Sequence, residues 1–224
     1  MEAPARTQIT RLRFVNAYLV DEDDGLTLID TTLRGGAKAI LARAQQFGKP
    51  IKRIALTHGH GDHIGSVDEL VEQLGEVEVL VSARDARLLA KDVSLDPDEP
   101  QTKIRGSVPG VRTQPTRTLS PGERVGSLEV IAAPGHTPGH VAFLDTRDRV
   151  LYCGDAYTTI GGVETTARTR LRFPLASMVT WHKPTELETA KALRALDPAA
   201  LAPGHGRIVE NPGSAMDAAI RRAS

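Results

Sequence analysis

Apolar and polar positions change period repeatedly along the first half of the chain. Residues 10–20 are mostly apolar and β-prone, with Phe14, Val15, Tyr18, Leu19 and Val20, and predict a strand. The acidic run closing on Gly25 reads as a hairpin turn, because Asp-Gly tolerates the backbone angles such turns need. Residues 26–29 return as a second strand that stops at Asp30. After Gly35-Gly36 the period becomes helical: Ile40, Leu41 and Ala44 share one face of a helix predicted over 37–47, which Gly48-Lys49-Pro50 ends. A short strand over 51–56, a helix over 67–74 and a strand over 77–81 follow.

The rhythm breaks over 92–116, which holds Pro97, Pro100, Pro109 and Pro115 and little apolar periodicity. A connection of that length is either functional or poorly ordered. Three strands are then predicted over 128–132, 141–144 and 150–152, and a second irregular stretch over 158–180. A helix over 184–196 carries Pro184 in its first turn, a strand stub covers 201–202, and a last helix spans 213–222. No internal repeat, linker or low-complexity segment interrupts the chain, so residues 1–224 are expected to form one layered α/β domain.

Composition narrows the class without naming a function. The 224 residues suffice for one sizeable core, and 40% hydrophobic with 25% charged residues is ordinary for a soluble globular protein. No stretch approaches the roughly 20 apolar residues of a spanning helix, so no membrane partner is expected. With 28 basic and 28 acidic residues the net charge is zero, which gives a nucleic-acid partner no electrostatic support. The single Cys153 cannot make an intramolecular disulfide, and the first six residues contain no apolar leader core. A cytoplasmic location is the expectation, with a small molecule as the partner.

Chemistry concentrates in His58-Gly59-His60-Gly61-Asp62-His63, placed between a strand and a helix. Four ligand-capable groups in six residues is metal-ligand density, and His58 and His60, two apart, point the same way in an extended segment. A carboxylate at Asp62 suits the start of a helix. His136 follows the 128–132 strand, Asp155 follows the 150–152 strand, and His205 follows the 201–202 stub, each beside a glycine. Any one alone reads as a turn residue. Together they deliver ligands from strand ends, where α/β folds assemble sites.

The order H-x-H-x-D-H, His136, Asp155, His205 resembles the metallo-β-lactamase superfamily, from the strand end at Asp30 to His205. The resemblance implies a four-layer αββα sandwich with a dinuclear metal site at one edge. It implies that His58, His60 and His136 hold one metal, that Asp62, His63 and His205 hold the second, and that Asp155 bridges both. Asp30 would be a structural partner. Imidazole and carboxylate without thiolate suit Zn2+, with Fe2+, Mn2+ and cobalt also compatible. Two such ions about 3.5–4 Å apart can share a hydroxide and polarise a substrate oxygen. The implied activity is hydrolysis of an ester, thioester or lactone, with Asp62 and Asp155 catalytic. The alternative is a persulfide dioxygenase, which shares this fold and holds one iron through residues equivalent to His58, His136 and Asp155.

Tyr157, two beyond Asp155, could place a phenol over the site as an oxyanion donor, as tyrosines do near this position in lactonase-like relatives. Cys153 reads as a buried packing residue, since Asp155 already fills the bridging slot. His140 is a candidate for orienting a ligand, and His182 reads as a helix cap or surface residue. Arg168, Arg170 and Arg172 could meet an anionic substrate or simply face solvent. The 158–180 stretch, with Phe173, Met178 and Trp181, is a candidate wall of the substrate pocket.

Overall fold

The computed structural model describes residues 6–170 and 173–224. Strands β1 (Arg6–Arg11), β2 (Val15–Glu22) and β3 (Gly25–Ile29) open the chain as a meander. Helix α1 (Ala37–Gln45), strand β4 (Ile51–Ala55), the one-turn α2 (Gly61–Ile64), α3 (Val67–Leu74), β5 (Glu78–Ser82) and α4 (Ala83–Leu89) follow. Strands β6 (Arg117–Leu119), β7 (Arg124–Val125), β8 (Leu128–Ala132), β9 (Val141–Asp145), β10 (Val150–Thr158) and β11 (Glu164–Thr165) come next. Helices α5 (Leu175–Val179) and α6 (Lys183–Ala195), strands β12 (Ala200–His205) and β13 (Val209–Glu210), and helix α7 (Gly213–Ala223) complete the chain.

Hydrogen bonds join the strands in the order β6-β5-β4-β3-β2-β12-β10-β9-β8-β7, with β1 added to β2, β11 to β10 and β13 to β12. Pairing is parallel from β3 to β6, where helices make the crossovers, and between β10 and β12; the other pairs are antiparallel. The two halves join at one register pair, Val15 with His205.

Alternation along the strands sorts side chains into three apolar layers. Ala17, Leu19, Leu28 and Ile54 pack under α1 and α3 with Ile40, Val67 and Leu70. Tyr18, Val20, Ile29, Leu80, Val130, Phe143 and Tyr152 form a middle layer drawn from both halves of the sheet, so the sheet folds over on itself. Leu144, Leu151 and Cys153 face outward onto Ala190, Leu193 and Met216 of α6 and α7. Three apolar layers separate four structural ones, which is the αββα sandwich.

Several boundaries differ from the sequence-based expectation. Residues 10–20 are not one strand: Leu12 and Arg13 take positive φ, 49° and 71°, in a turn closed by Phe14 N–H to Arg11 O, and the chain doubles back. The apolar pattern carried no glycine or asparagine to mark that turn. Helix α4 lies between the strand expected at 77–81 and the proline-rich stretch, and was not predicted. The stretch itself is tightly fastened. Arg84 bonds the Glu99 carboxylate at 2.6 and 2.8 Å, Arg87 reaches Asp92 and Asp96, and the Trp181 indole donates to Thr102 O at 2.6 Å. Among the described residues no helix is long and apolar enough to cross a membrane.

Candidate metal centre

The loop after β4 carries His58 and His60 into α2, which presents Asp62 and His63. His136 comes from the turn between β8 and β9, and His205 is the last residue of β12. Asp155 lies inside β10 rather than at its end, because Gly154 takes φ +49° and the register with β12 slips there without ending the strand. All seven side chains converge. His58, His60 and His136 each offer a nitrogen within 4.8 Å of the others; an oxygen of Asp62 and nitrogens of His63 and His205 lie equally close together, and Asp155 groups with His58 and His63. Its Oδ2 lies 3.4 Å from His136 Nε2 and 3.1 Å from His205 Nε2, while Oδ1 lies 3.3 Å from His63 Nε2.

Each imidazole is fixed from behind by an acceptor, so the hydrogen bond chooses the tautomer. His60 Nε2–H donates to Arg105 O at 2.9 Å, and His205 Nδ1–H to Phe14 O at 2.9 Å. His63 Nδ1–H donates to Asp30 Oδ2 at 2.8 Å. The Thr57 hydroxyl gives its proton to Asp30 and so accepts from His58 Nδ1–H at 3.0 Å. Thr180 Oγ1, which donates to the Thr166 and Ala176 carbonyls, accepts from His136 Nδ1–H at 3.2 Å. The opposite nitrogens all face inward. His60 Nδ1 and His136 Nε2, both left bare by this pattern, lie 3.0 Å apart with lone pairs opposed. His58 Nε2, His63 Nε2 and Asp155 Oδ1 are buried without any hydrogen-bond partner. Converging bare nitrogens and carboxylate oxygens with no other partner are the donor set of a divalent metal.

Electrostatics divides the cluster. Burial drives the pKa values of His58, His60 and His136 down, so these rings are neutral. His63 and His205 are as deeply buried, and burial alone would lower both, but the surrounding carboxylates together outweigh it, Asp155 with Asp30 and Asp62 at His63 and Asp155 with Asp62 at His205, which is raised to about 9. Burial opposes ionisation of Asp155 and Asp62, yet the neighbouring His63 and His205 hold both carboxyls well below the usual range.

Residues 10–205 match the family model of the metallo-beta-lactamase superfamily. The chain belongs to that superfamily. It is 43% identical over 210 residues to the uncharacterized protein YobT of Bacillus subtilis (strain 168), covering 93% of this chain and 90% of YobT. It is 30% identical over 217 residues to the probable metallo-hydrolase YflN of the same strain, covering 89% and 81%. Among solved structures, TTHA1623 in a di-iron-bound form superposes with a TM-score of 0.67 at 29% identity, over 93% of this chain and 96% of that one.

Within this metallo-β-lactamase fold, Tyr157 departs from its expected role. Its hydroxyl donates to Ala190 O at 2.7 Å, and its ring is buried in the apolar layer under α6. Leu151, Cys153, Ala156 and Tyr157 all enter that layer, so alternation breaks twice, between Cys153 and Ala156 at the left-handed Gly154 and again between Ala156 and Tyr157, within the stretch where the register with β12 shifts a second time. Asp155 turns to the centre and Tyr157 away from it. Cys153 is buried among apolar side chains, as expected. His140 orients by accepting: its Nε2 takes the Asp155 backbone N–H at 3.1 Å, and burial pushes its pKa down to about 3. His182 caps α6 by accepting from Thr185 N–H. Arg170 pairs with Glu164, and neither it nor Arg168 lines the metal cleft; Arg172 lies outside the described residues.

Sequence reasoning missed Asp85. This buried carboxylate accepts from Gly59 N–H at 2.9 Å, Thr137 hydroxyl at 2.7 Å and Gly139 N–H at 2.8 Å, clamping the first histidine loop to the His136 turn. Its signal was Ser82-x-x-Asp85, where Ser82 caps α4; that helix was itself unpredicted. Gly106 was missed too. At φ +89° it packs so close that a Cβ there would sit 2.6 Å from His60 Nε2, and this close approach lets the Arg105 carbonyl reach the ring.

Proposed function

We propose that the protein is a dinuclear metal-dependent hydrolase of an ester, thioester or lactone. His58, His60 and His136 would hold one ion, Asp62, His63 and His205 the other, with Asp155 reaching both. The observation that carries the reading is the set of inward-facing nitrogens, each fixed by an outer acceptor, around a carboxylate with an orphaned oxygen. Divalent ions held there supply water activation near neutral pH and Lewis acidity toward a substrate oxygen. Zinc is the proposed metal on ligand type, and the di-iron form of TTHA1623 makes iron the nearest competitor.

The chain's own groups divide the remaining work. The Asp62 side chain is 31% exposed, against 3% for Asp155, and lines the cleft. We assign it to orient the attacking water and take its proton at the carboxylate. Before a metal is bound, His205 Nε2, 3.4 Å from Asp62 Oδ2, steadies the ionised form. Asp155 is too enclosed for proton exchange with solvent and acts by charge. Tyr157 takes no part in oxyanion stabilisation.

The alternative of a one-iron persulfide dioxygenase needs only His58, His136 and Asp155, and leaves the convergence of Asp62, His63 and His205 without a role. Metal analysis of the protein as purified separates the two. Two equivalents of metal per chain, with hydrolysis of 4-nitrophenyl acetate lost on chelation and restored by Zn2+, supports the hydrolase. One iron per chain, with oxygen consumption on glutathione persulfide and no ester cleavage, overturns it.

A further inference from the structure

A cleft of about 1150 Å³ opens over Asp62, Asp155 and His205. Its lining is of two chemical kinds: Leu12, Phe14, Phe173, Leu175, Met178 and Val179 are apolar, and Arg34, Asp68, Glu69, Glu72 and Arg112 are charged. Large apolar side chains scattered singly on a surface need no explanation. Here, however, the described residues contain four well-exposed ones, and three of them, Leu12 at 63%, Leu175 at 56% and Met178 at 56%, ring this cleft. A convergent apolar patch is the mark of a binding surface.

Two further observations tie the patch to the centre. The rings of Phe14 and Phe173 lie 6.0 and 5.2 Å from the His205 imidazole, and 5.9 Å from each other, so the apolar lining begins at the cluster itself. Leu12 is presented by a turn whose two central residues, Leu12 and Arg13, both adopt positive φ. Such turns favour Asn and Gly, and side-chain-bearing residues there carry backbone strain. Strain kept to hold a leucine in solvent at the mouth of a metal cleft has a use when something apolar covers that leucine.

We propose that the substrate is amphipathic: an ester, thioester or lactone whose apolar acyl or alkoxy arm lies along Leu12, Phe14, Phe173, Leu175 and Met178, and whose polar part meets the charged residues of the lining. This rests on the hydrolytic reading and adds the substrate's shape. Each methylene laid on the wall gains a fraction of its burial free energy, so kcat/KM rises about two- to fourfold per added carbon.

The test is a chain-length series on the metal-loaded protein. One set holds 4-nitrophenyl esters from acetate to octanoate, and a second holds acetates of ethanol through octanol. A rising slope in at least one set is expected in the wild type. It is expected to flatten in the double variant Leu12→Ser/Met178→Ser, whose substitutions are exposed and leave the core untouched. Val93→Ser, the fourth exposed apolar position and outside the cleft, is expected to keep the slope. Flat slopes in both wild-type sets, or a slope unaltered in the double variant, overturn the proposal. A double variant that changes oligomeric state on gel filtration with an unaltered slope assigns the patch to self-association and overturns it as well. If no ester is cleaved, calorimetry with alkanohydroxamates of increasing length decides. Affinity that climbs with length and flattens in the double variant keeps the apolar wall and rejects the hydrolase; affinity independent of length rejects the wall.

Discussion

His136 and His205 are both buried imidazoles within 3.4 Å of Asp155 Oδ2, yet they sit in opposite protonation states. Burial drives the proton off His136, whose nearest ring neighbours are His60 and His58, at 4.8 and 4.9 Å. His205 has Asp62 as a second carboxylate and holds its proton to about pH 9. The same contrast separates the whole cluster into an imidazole pole of His58, His60 and His136, bare and ready for a metal, and a carboxylate pole of Asp62, His63 and His205, where protons occupy the positions a metal would take. Three neutral donors facing one another repel only through lone pairs. Two ionised carboxylates in a low-dielectric interior demand counter-charge, and in the metal-free protein the histidines provide it.

Asp155 belongs to both poles, so changing it should break the contrast most completely. Asp155→Asn keeps the size, removes one negative charge and leaves His63 and His205 with less reason to stay protonated. We expect a folded protein that loses at least one of its two metals and turns over more than about 100-fold more slowly. Metal titration beside steady-state kinetics checks this. A variant holding two metals at wild-type affinity and rate would show that Asp155 does not link the poles.

The seven convergent residues were legible because metal ligands must be particular residue types, and the turns that deliver them are punctuated by glycine. The layers were legible because runs such as 141–144 are short and continuously apolar, the mark of a strand buried on both faces. What lay hidden has three physical causes. Backbone carbonyls hold His60 and His205, and a carbonyl is supplied by any residue, so nothing about Arg105 or Phe14 announced those roles. Tyr157 was misplaced because alternation was carried from Asp155 to Tyr157, whereas the neighbours Ala156 and Tyr157 both enter the outer layer where the register with β12 shifts. Asp85 was obscured with α4, a helix of seven residues squeezed between a strand and a proline-rich loop.

Proton occupancy gives the next prediction. Filling the carboxylate pole must expel the His205 proton, so metal affinity there rises about tenfold per pH unit from pH 6.5 to about 9 for each proton displaced. The imidazole pole, with its pKa values lowered, should show no such slope over that range. Calorimetric titration in buffers of different ionisation heat counts the protons released by the first and second equivalents. The stability of the metal-free fold runs the other way. A histidine with a raised pKa binds its proton more tightly when folded, so its contribution is complete below about pH 6.5 and is lost as pH rises toward 9. The metal-free protein should therefore melt lower at pH 9 than at 6.5, while the loaded protein changes less. Equal pH slopes for both equivalents would erase the distinction between the poles.

The smallest effect concerns Glu186, which ought to spoil the contrast and does not. Its carboxyl is fully buried beside the Gly135–His136 turn, and neither oxygen has a hydrogen-bond partner among the described residues. Were it ionised, it would hold a proton on His136 as Asp155 and Asp62 do on His205, and the imidazole pole would no longer be bare. Burial, reinforced by the charge of Asp155, instead raises its pKa well above the ordinary value, so the group stays neutral and His136 stays free. The folded state then binds a proton that the unfolded state releases, and stability falls as pH rises past the ordinary carboxyl pKa of about 4.5. Glu186→Gln removes that penalty while keeping the shape. We expect it to stabilise the protein by about 1 kcal/mol or more at pH 8, and little at pH 4, with metal affinity unchanged. Thermal melts at the two pH values, beside a metal titration, measure both quantities. Loss of metal binding in Glu186→Gln would mean that this carboxylate is ionised and serves the centre, and that the imidazole pole is less neutral than its burial implies.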